Sequence, residues 1–203
     1  MTRGETDIRP SEARARLLNT AIKLFYAEGI HSVGVDRIIA EAKVTRATFY
    51  RHFPSKDDLI LAYLREVHKM DRGAVEKAIA ADNPAPADPL LAIAGSIARS
   101  IQSPGFRGCA FLNAAAEYPD AGHPVHQEII AHRQWFLDTL TTLMARVHAG
   151  TAGPAARHFV MLRDGAMAAG CLFDPTLVAD TFLRGVEGLL RINTERQSAD
   201  STR

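Results

Sequence analysis

The chain has 203 residues with 24 basic and 23 acidic side chains, a formal charge of +1, so no global electrostatic bias selects nucleic acid or membrane as a partner. Hydrophobic residues make up 47% and charged residues 23%, the balance of a globular chain able to bury a sizeable core. No apolar run approaches the roughly 18–20 residues of a membrane span, and the N-terminus lacks a signal peptide's apolar stretch. Cys109 and Cys171 have no close-spaced partner. Together these features predict a cytoplasmic protein with free thiols.

Helical periodicity runs through the whole chain and no segment reads as a strand. Ser11 is a candidate N-cap, after which Leu17, Ala21, Leu24 and Phe25 recur at helical spacing until Gly29 can end the helix in a left-handed turn. Val35, Ile38, Ile39 and Ala42 repeat the pattern, with Asp36 near that helix's positive end. Thr45 can cap a short helix through Phe53, which Pro54 stops. Ser55 caps a long helix, with Asp57 and Asp58 in its first turn, running to about Ala81. "DNPAPADP", residues 82–89, is the clearest boundary. Helices are then expected near 89–103, 108–118, 122–148, 154–172 and 175–195, with residues 1–8 and 196–203 as loose polar tails.

Charge is distributed unevenly. Between Gly29 and Lys56 stand Arg37, Lys43, Arg46, Arg51 and Lys56 against Asp36 and Glu41, five minus two or +3, whereas residues 57–203 carry a slight acidic excess. On a wheel of about 100° per residue, Phe49 and Phe53 share one face and Ala47 and Arg51 lie nearly opposite. Arg46 and Tyr50 take one flank, Thr48 and His52 the other. With the Val35–Ala42 helix and a short turn before it, this segment completes a helix-turn-helix. Arg46 and Arg51 suit guanine edges in the major groove, and Ala47 is small enough to let the helix sit deep. Thr48, Tyr50, His52 and Lys56 suit phosphates.

"VGVDRIIAEAKVTRATFYRHFPSKDDLILAYL" closely resembles the DNA-binding domain of the tetracycline-repressor family of bacterial transcriptional regulators. The matching positions are Val35, Ile38, Ala42, Val44, Thr48, Phe49, Tyr50, His52, Phe53, Lys56 and Leu59, within about residues 11–63. The resemblance implies an all-α protein: a three-helix helix-turn-helix domain over 9–55, then a helical effector-binding and dimerisation domain over 56–195 that includes the long helix 55–81. It implies a homodimeric repressor released from a palindromic double-stranded operator by a small-molecule effector. It places Thr45, Arg46, Ala47, Thr48, Tyr50, Arg51, His52 and Lys56 at or near DNA, and Arg37 beside them. Two positions depart from the family pattern. Lys43 stands at a turn position where the family usually has glycine, at a cost of about 1 kcal/mol if its φ is positive. Gly34 stands where the family often has threonine and removes a side-chain cap.

In the second half, Gly165, Ala166, Ala169 and Gly170 form a small-residue face on one helix. Val178, Phe182, Gly185, Val186, Leu189 and Ile192 form an apolar stripe on the next. Paired across a two-fold axis, the helices would make a four-helix interface, with Gly165, Ala169, Phe182, Gly185, Val186 and Leu189 at its centre. A pocket is expected among 106–118, 122–148 and 154–172, where Phe106, Cys109, Asn113, Glu117, Trp135 and Asp164 set polar groups and rings in apolar surroundings. His123, His126 and His132 do not share one helical face, so no metal site is assigned. No cofactor motif and no catalytic motif such as GxSxG or HExxH occurs, which argues against an enzyme. Two other readings fit the residues: a helical ligand-binding dimer that does not read DNA, suggested by Lys43, and an enzyme built in the C-terminal cavity.

Overall fold

The computed structural model describes residues 12–80, 85–147 and 149–200, with side chains described except at 149 and 192–200. The expected cap Ser11, part of the 82–89 boundary and the side chain of Ile192 lie outside these limits. Among the described residues there are nine α-helices and no strand: α1 Glu12–Glu28, α2 Val35–Ala42, α3 Arg46–His52, α4 Lys56–Ala80, α5 Asp88–Ile101, α6 Ala110–Glu117, α7 Pro124–Val147, α8 Ala152–Ala169 and α9 Pro175–Asp200, with one 3-10 turn at Ala149–Thr151. The all-α fold read from the sequence is the fold observed.

The chain divides into two compact units after Arg65, inside α4. In the first, α1, α2 and α3 pack on one another. Leu17, Ala21, Phe25, Ile38, Phe49 and Phe53 are buried there, joined by Leu59, Ile60, Tyr63 and Leu64 from the first turns of α4. Burial of one such aromatic contributes about 1.5–3 kcal/mol, which fixes α3 by its inward face. Phe25 meets Tyr63 edge to face at 5.6 Å, and Phe49 lies 6.2 Å from Phe53. The Arg14 guanidinium covers Phe53 at 5.0 Å.

Local chemistry sets the helix ends. The Gly29 amide donates to the Phe25 carbonyl with φ 91°, the left-handed stop expected there. Thr45 Oγ1 accepts from the Thr48 amide at 3.2 Å, and Ser55 Oγ accepts from the Asp58 amide at 3.1 Å while donating to the Asp58 carboxylate at 2.7 Å. Lys43 adopts φ 52° and ψ 51°, so a lysine does hold the left-handed turn. Gly34 caps α2 without a side-chain bond.

In the second unit α5 packs on α9, α8 packs on both α7 and α9, and α6 packs on α7. Leu90, Ile101, Phe111, Ile129, Phe159 and Val186 are buried at its centre. Asp174 Oδ1 accepts from the Thr176 and Leu177 amides and so caps α9. That helix runs to Asp200, into the segment expected as a tail, because "RINTERQSAD" holds no glycine or proline to stop it. Among the described residues no helix is long and apolar enough to cross a membrane.

Candidate functional site

The outward face of α3 is built by what its inward face buries. Phe49 and Phe53 are inside, which leaves Arg46, Ala47, Tyr50 and Arg51 exposed. Tyr50 is exposed and its ring meets that of Phe49 edge to face at 5.1 Å, which braces it. Arg51 has no hydrogen-bond or ion-pair partner among the described residues and is a cation available to a ligand. Arg46 instead pairs with Asp36 on α2, both side chains remaining more than half exposed.

The other residues expected near DNA are committed to varying degrees. Arg37 holds Glu28 in a two-pronged pair, with both N–O distances 2.8 Å, and lies 3.9 Å from Glu41. Thr45 and Thr48 share a hydroxyl–hydroxyl bond of 2.9 Å in addition to the helix cap. His52 is half-buried. Lys56 donates to the Ile30 carbonyl at 2.6 Å, with its ammonium 5.9 Å from the Phe25 ring.

A second candidate site lies wholly within the second unit. A cavity of about 100 Å³ is lined by Asp71, Ala74 and Val75 of α4 and by Ile93, Ser96, Ile97 and Ser100 of α5, then by His132, Trp135 and Phe136 of α7 and Arg163 and Met167 of α8. Of the six residues expected to bind a ligand, Trp135 lines this cavity. Cys109 and Asp164 stand behind it and hold Arg163, which donates to Cys109 Sγ at 3.3 Å and to Asp164 at 3.0 Å. Asp164 also pairs with Arg133. Asn113 is spent on the Arg107 carbonyl at 2.8 Å, Phe106 is half-buried beside Gly170, and Glu117 is half-buried on α6.

The cavity's polar groups were not legible beforehand. Buried His132 stacks face to face on Phe111 at 3.5 Å, its Nδ1 2.9 Å from Nδ1 of His68 and its Nε2 3.7 Å from Asp71. Burial first, then the cations Arg163 and Arg133 and the neighbouring His68, push the His132 pKa down to about 3. His68 is lowered by burial and by Arg72. Asp71 is raised by burial against the opposing pull of Arg163. The signals available in sequence were His68 and Asp71 three residues apart on one helix, and Arg163 inside the apolar "FVMLRDGAMAAG". Nothing local shows that those segments meet. His123 and His126, grouped with His132 in sequence, each have local partners: His123 Nδ1 accepts from the Val125 amide, and His126 Nδ1 lies 2.7 Å from the Tyr118 carbonyl.

On α8 and α9 the expected interface residues separate. Phe182 and Val186 enter the subunit's own core, where Phe182 meets Phe159 edge-on at 6.0 Å. Gly165 is exposed, and Ala169, Gly185 and Leu189 are half-buried. The surface here is instead apolar through Met161 and Leu162 of α8, Leu177 of α9, and Leu172 and Phe173 in the turn between the helices.

With this geometry in view, the comparisons with known proteins agree. The sequence profile of bacterial regulatory proteins of the tetR family matches residues 17–63, the span of the α1–α3 head and the start of α4. The crystal structure of SCO4454, a TetR-family transcriptional regulator from Streptomyces coelicolor, superposes with a TM-score of 0.88 at 65% identity, over 91% of this chain and 97% of that one. A TetR-type regulator from Streptomyces avermitilis is 27% identical with a TM-score of 0.70, over 86% of this chain and 98% of that one. In sequence, the HTH-type transcriptional regulator YjdC of Escherichia coli is 21% identical over 93% of this chain and 99% of its own length. A helix-turn-helix head with an outward cationic face, joined to a relative this close along nearly its whole length, means that the chain is a DNA-binding transcriptional regulator belonging to the TetR family.

Proposed function

We propose that this regulator is a ligand-responsive repressor that acts in the cytoplasm as a homodimer on a palindromic operator and is released from DNA by a small-molecule effector. In this reading residues 9–55 form the DNA-binding domain and 56–195 the effector and dimerisation domain. The observation that carries it is the face of α3: Arg51 is exposed and unpartnered among the described residues, beside Arg46, Ala47 and the braced Tyr50, while Phe49 anchors the opposite side. Two copies would present such faces to successive major grooves about 34–36 Å apart.

Ligand response is supported by α4. The helix sends Leu59, Ile60 and Tyr63 into the core of the first unit and Asp71, Ala74 and Val75 to the cavity wall of the second. An effector that binds one position of α4 more tightly than another shifts the population by that difference in affinity. Dimerisation is supported by the exposed Met161, Leu162 and Leu177 on the helices that also carry Gly165 and Gly185, with Phe173 exposed in the turn between them.

The test is selection of genomic fragments by the purified protein, followed by binding titrations on the selected duplex. Specific, salt-dependent binding that Arg51→Ala weakens supports the reading. Wild-type affinity in both Arg46→Ala and Arg51→Ala variants would falsify the assignment of α3. A Leu162→Glu, Leu177→Glu double variant that still sediments as a dimer would remove this surface from the interface.

A further inference from the structure

The cavity in the second unit has a charge imbalance that bears on what it can hold. Two guanidinium groups, Arg133 and Arg163, share one carboxylate, Asp164, so two positive charges meet one negative and +1 remains. Arg133 is part-exposed, whereas Arg163 is buried and lines the cavity. A guanidinium has five N–H donors. Arg163 gives one to Asp164 and one to Cys109, so five minus two leaves three uncommitted among the described residues.

The other groups around the cavity do not supply the missing anion well. His132 and His68 face one another through their Nδ1 atoms, and burial disfavours a charge on either ring. Glu128 acts on His68, and Arg72 is paired with Glu76. Asp71 is the remaining carboxyl on the lining; burial disfavours its ionised form and Arg163 favours it, and its carboxylate lies 3.7 Å from His132 with no ion pair to Arg163 among the described residues. The rest of the wall is hydrocarbon and ring, with the Ser96 and Ser100 hydroxyls. The volume, about 100 Å³, is below the about 150 Å³ of an apolar cavity that accepts benzene, so a single small ring is the upper limit of size and its entry requires the lining to give.

We propose that this cavity takes a single-ring organic acid, its carboxylate on the uncommitted N–H groups of Arg163 and its ring against Trp135, Phe136 and Ile97. The assignment rests on the reading of the cavity as an effector site and deepens it to a chemical class. A carboxylate there neutralises the cluster of Arg133, Arg163 and Asp164, and a bidentate guanidinium–carboxylate contact favours it over a neutral isostere.

Trp135 is the chain's single tryptophan and lines the cavity, so its emission reports occupancy. The full chain is titrated with benzoate, benzamide and benzylamine. Benzoate is expected to change the emission saturably and to bind about tenfold or more tighter than benzamide, with benzylamine weakest. Asp71→Asn, which removes the competing carboxylate, is expected to tighten benzoate several-fold. Arg163→Met is expected to abolish the preference for acid over amide, with circular dichroism confirming its fold; the three-ligand comparison on the native chain stands if that variant does not fold. Equal binding of benzoate and benzamide, tighter binding of benzylamine, or no benzoate saturation up to millimolar concentration overturns the proposal. The same ligands are then added to the protein bound to its selected duplex. Acid binding without a change in DNA affinity upholds the class and defeats the effector reading. Release by a neutral ligand, with no acid bound, defeats the class and upholds the effector reading.

Discussion

Arg46 and Asp36 pair across the helix-turn-helix, the guanidinium at the start of α3 against the carboxylate in the first turn of α2. Both side chains are mostly exposed, so the pair adds little to stability, about 0–1 kcal/mol. Its larger effect is on the charge that the head offers to DNA. Asp36→Asn frees Arg46 and removes a negative charge from the same face. It is expected to tighten binding to any duplex and steepen the dependence of log K on log salt by about 0.9 per added phosphate contact. Filter binding across a salt series measures this, and an unchanged slope would show that Arg46 already leaves Asp36 on DNA.

Arg51 and Tyr50 are neighbours with different expected signatures. Arg51→Ala is expected to relax discrimination at one base position, at about 1–3 kcal/mol. Tyr50→Phe removes a hydroxyl and no charge, so it is expected to weaken all duplexes alike and leave the salt slope unchanged. Competition between operator variants separates the two outcomes.

Lys43 holds φ 52°, a conformation that costs a residue with a Cβ about 1–2 kcal/mol. Lys43→Gly relieves that cost and is expected to raise the stability of the head by about 0.5–1 kcal/mol after the entropy of glycine in the unfolded chain is included. Denaturant unfolding reads the gain. An equal or lower midpoint would mean that Lys43 makes a compensating interaction.

Gly34 offers a second site for stabilisation. Its backbone is extended, with φ −79° and ψ 155°, and a Cβ there meets nothing within 4 Å. Gly34→Thr is expected to cap α2 and add a few tenths of a kcal/mol. A drop in thermal midpoint would contradict the open space at this position.

His132 makes stability depend on pH. Its folded pKa of about 3 lies below the ordinary 6.5, so the unfolded chain takes up a proton near pH 6.5 that the folded chain refuses. Its contribution is complete above pH 6.5 and is lost on acidification toward pH 3, at no more than about 1.4 kcal/mol per pH unit. Asp71 works in the opposite sense: its raised pKa favours the folded state at low pH, and that gain is lost as pH rises through the folded value. The stability difference between native chain and His132→Gln is therefore expected to shrink from pH 7 to pH 5. Parallel curves would show that His132 takes up its proton as readily in the folded chain as in the unfolded one.

The legible part of this molecule was the part governed by local rules. Phe49 and Phe53 at helical spacing, Thr45 and Ser55 as caps, and Gly29 as a stop are each read within a few residues, and each is found in that role. The cavity could not be read this way. His68 and His132 are 64 residues apart and Arg163 and Cys109 are 54 apart, so their contacts depend on how α4, α6, α7 and α8 assemble. Cys109 and Asp164 drew attention as polar residues in apolar runs, and both are buried or half-buried as that composition suggests. Their role is to hold an arginine that the sequence does not distinguish from any other. Phe182 and Val186 show the same limit, since an apolar stripe does not say whether it faces its own subunit or a second copy.

The facing Nδ1 atoms of His68 and His132 have room for one hydrogen between them. If His68 supplies it, His132 carries its own hydrogen on Nε2 and turns a donor toward the Asp71 carboxylate. If His132 supplies it, Nε2 turns a lone pair toward Asp71 at 3.7 Å, which favours a protonated carboxyl there. Two imidazole tautomers and one carboxyl proton are thus tied together along a line from α4 to α7 and back. The second arrangement holds one proton more than the first, on the Asp71 carboxyl, so the choice of tautomer and the charge on Asp71 change together.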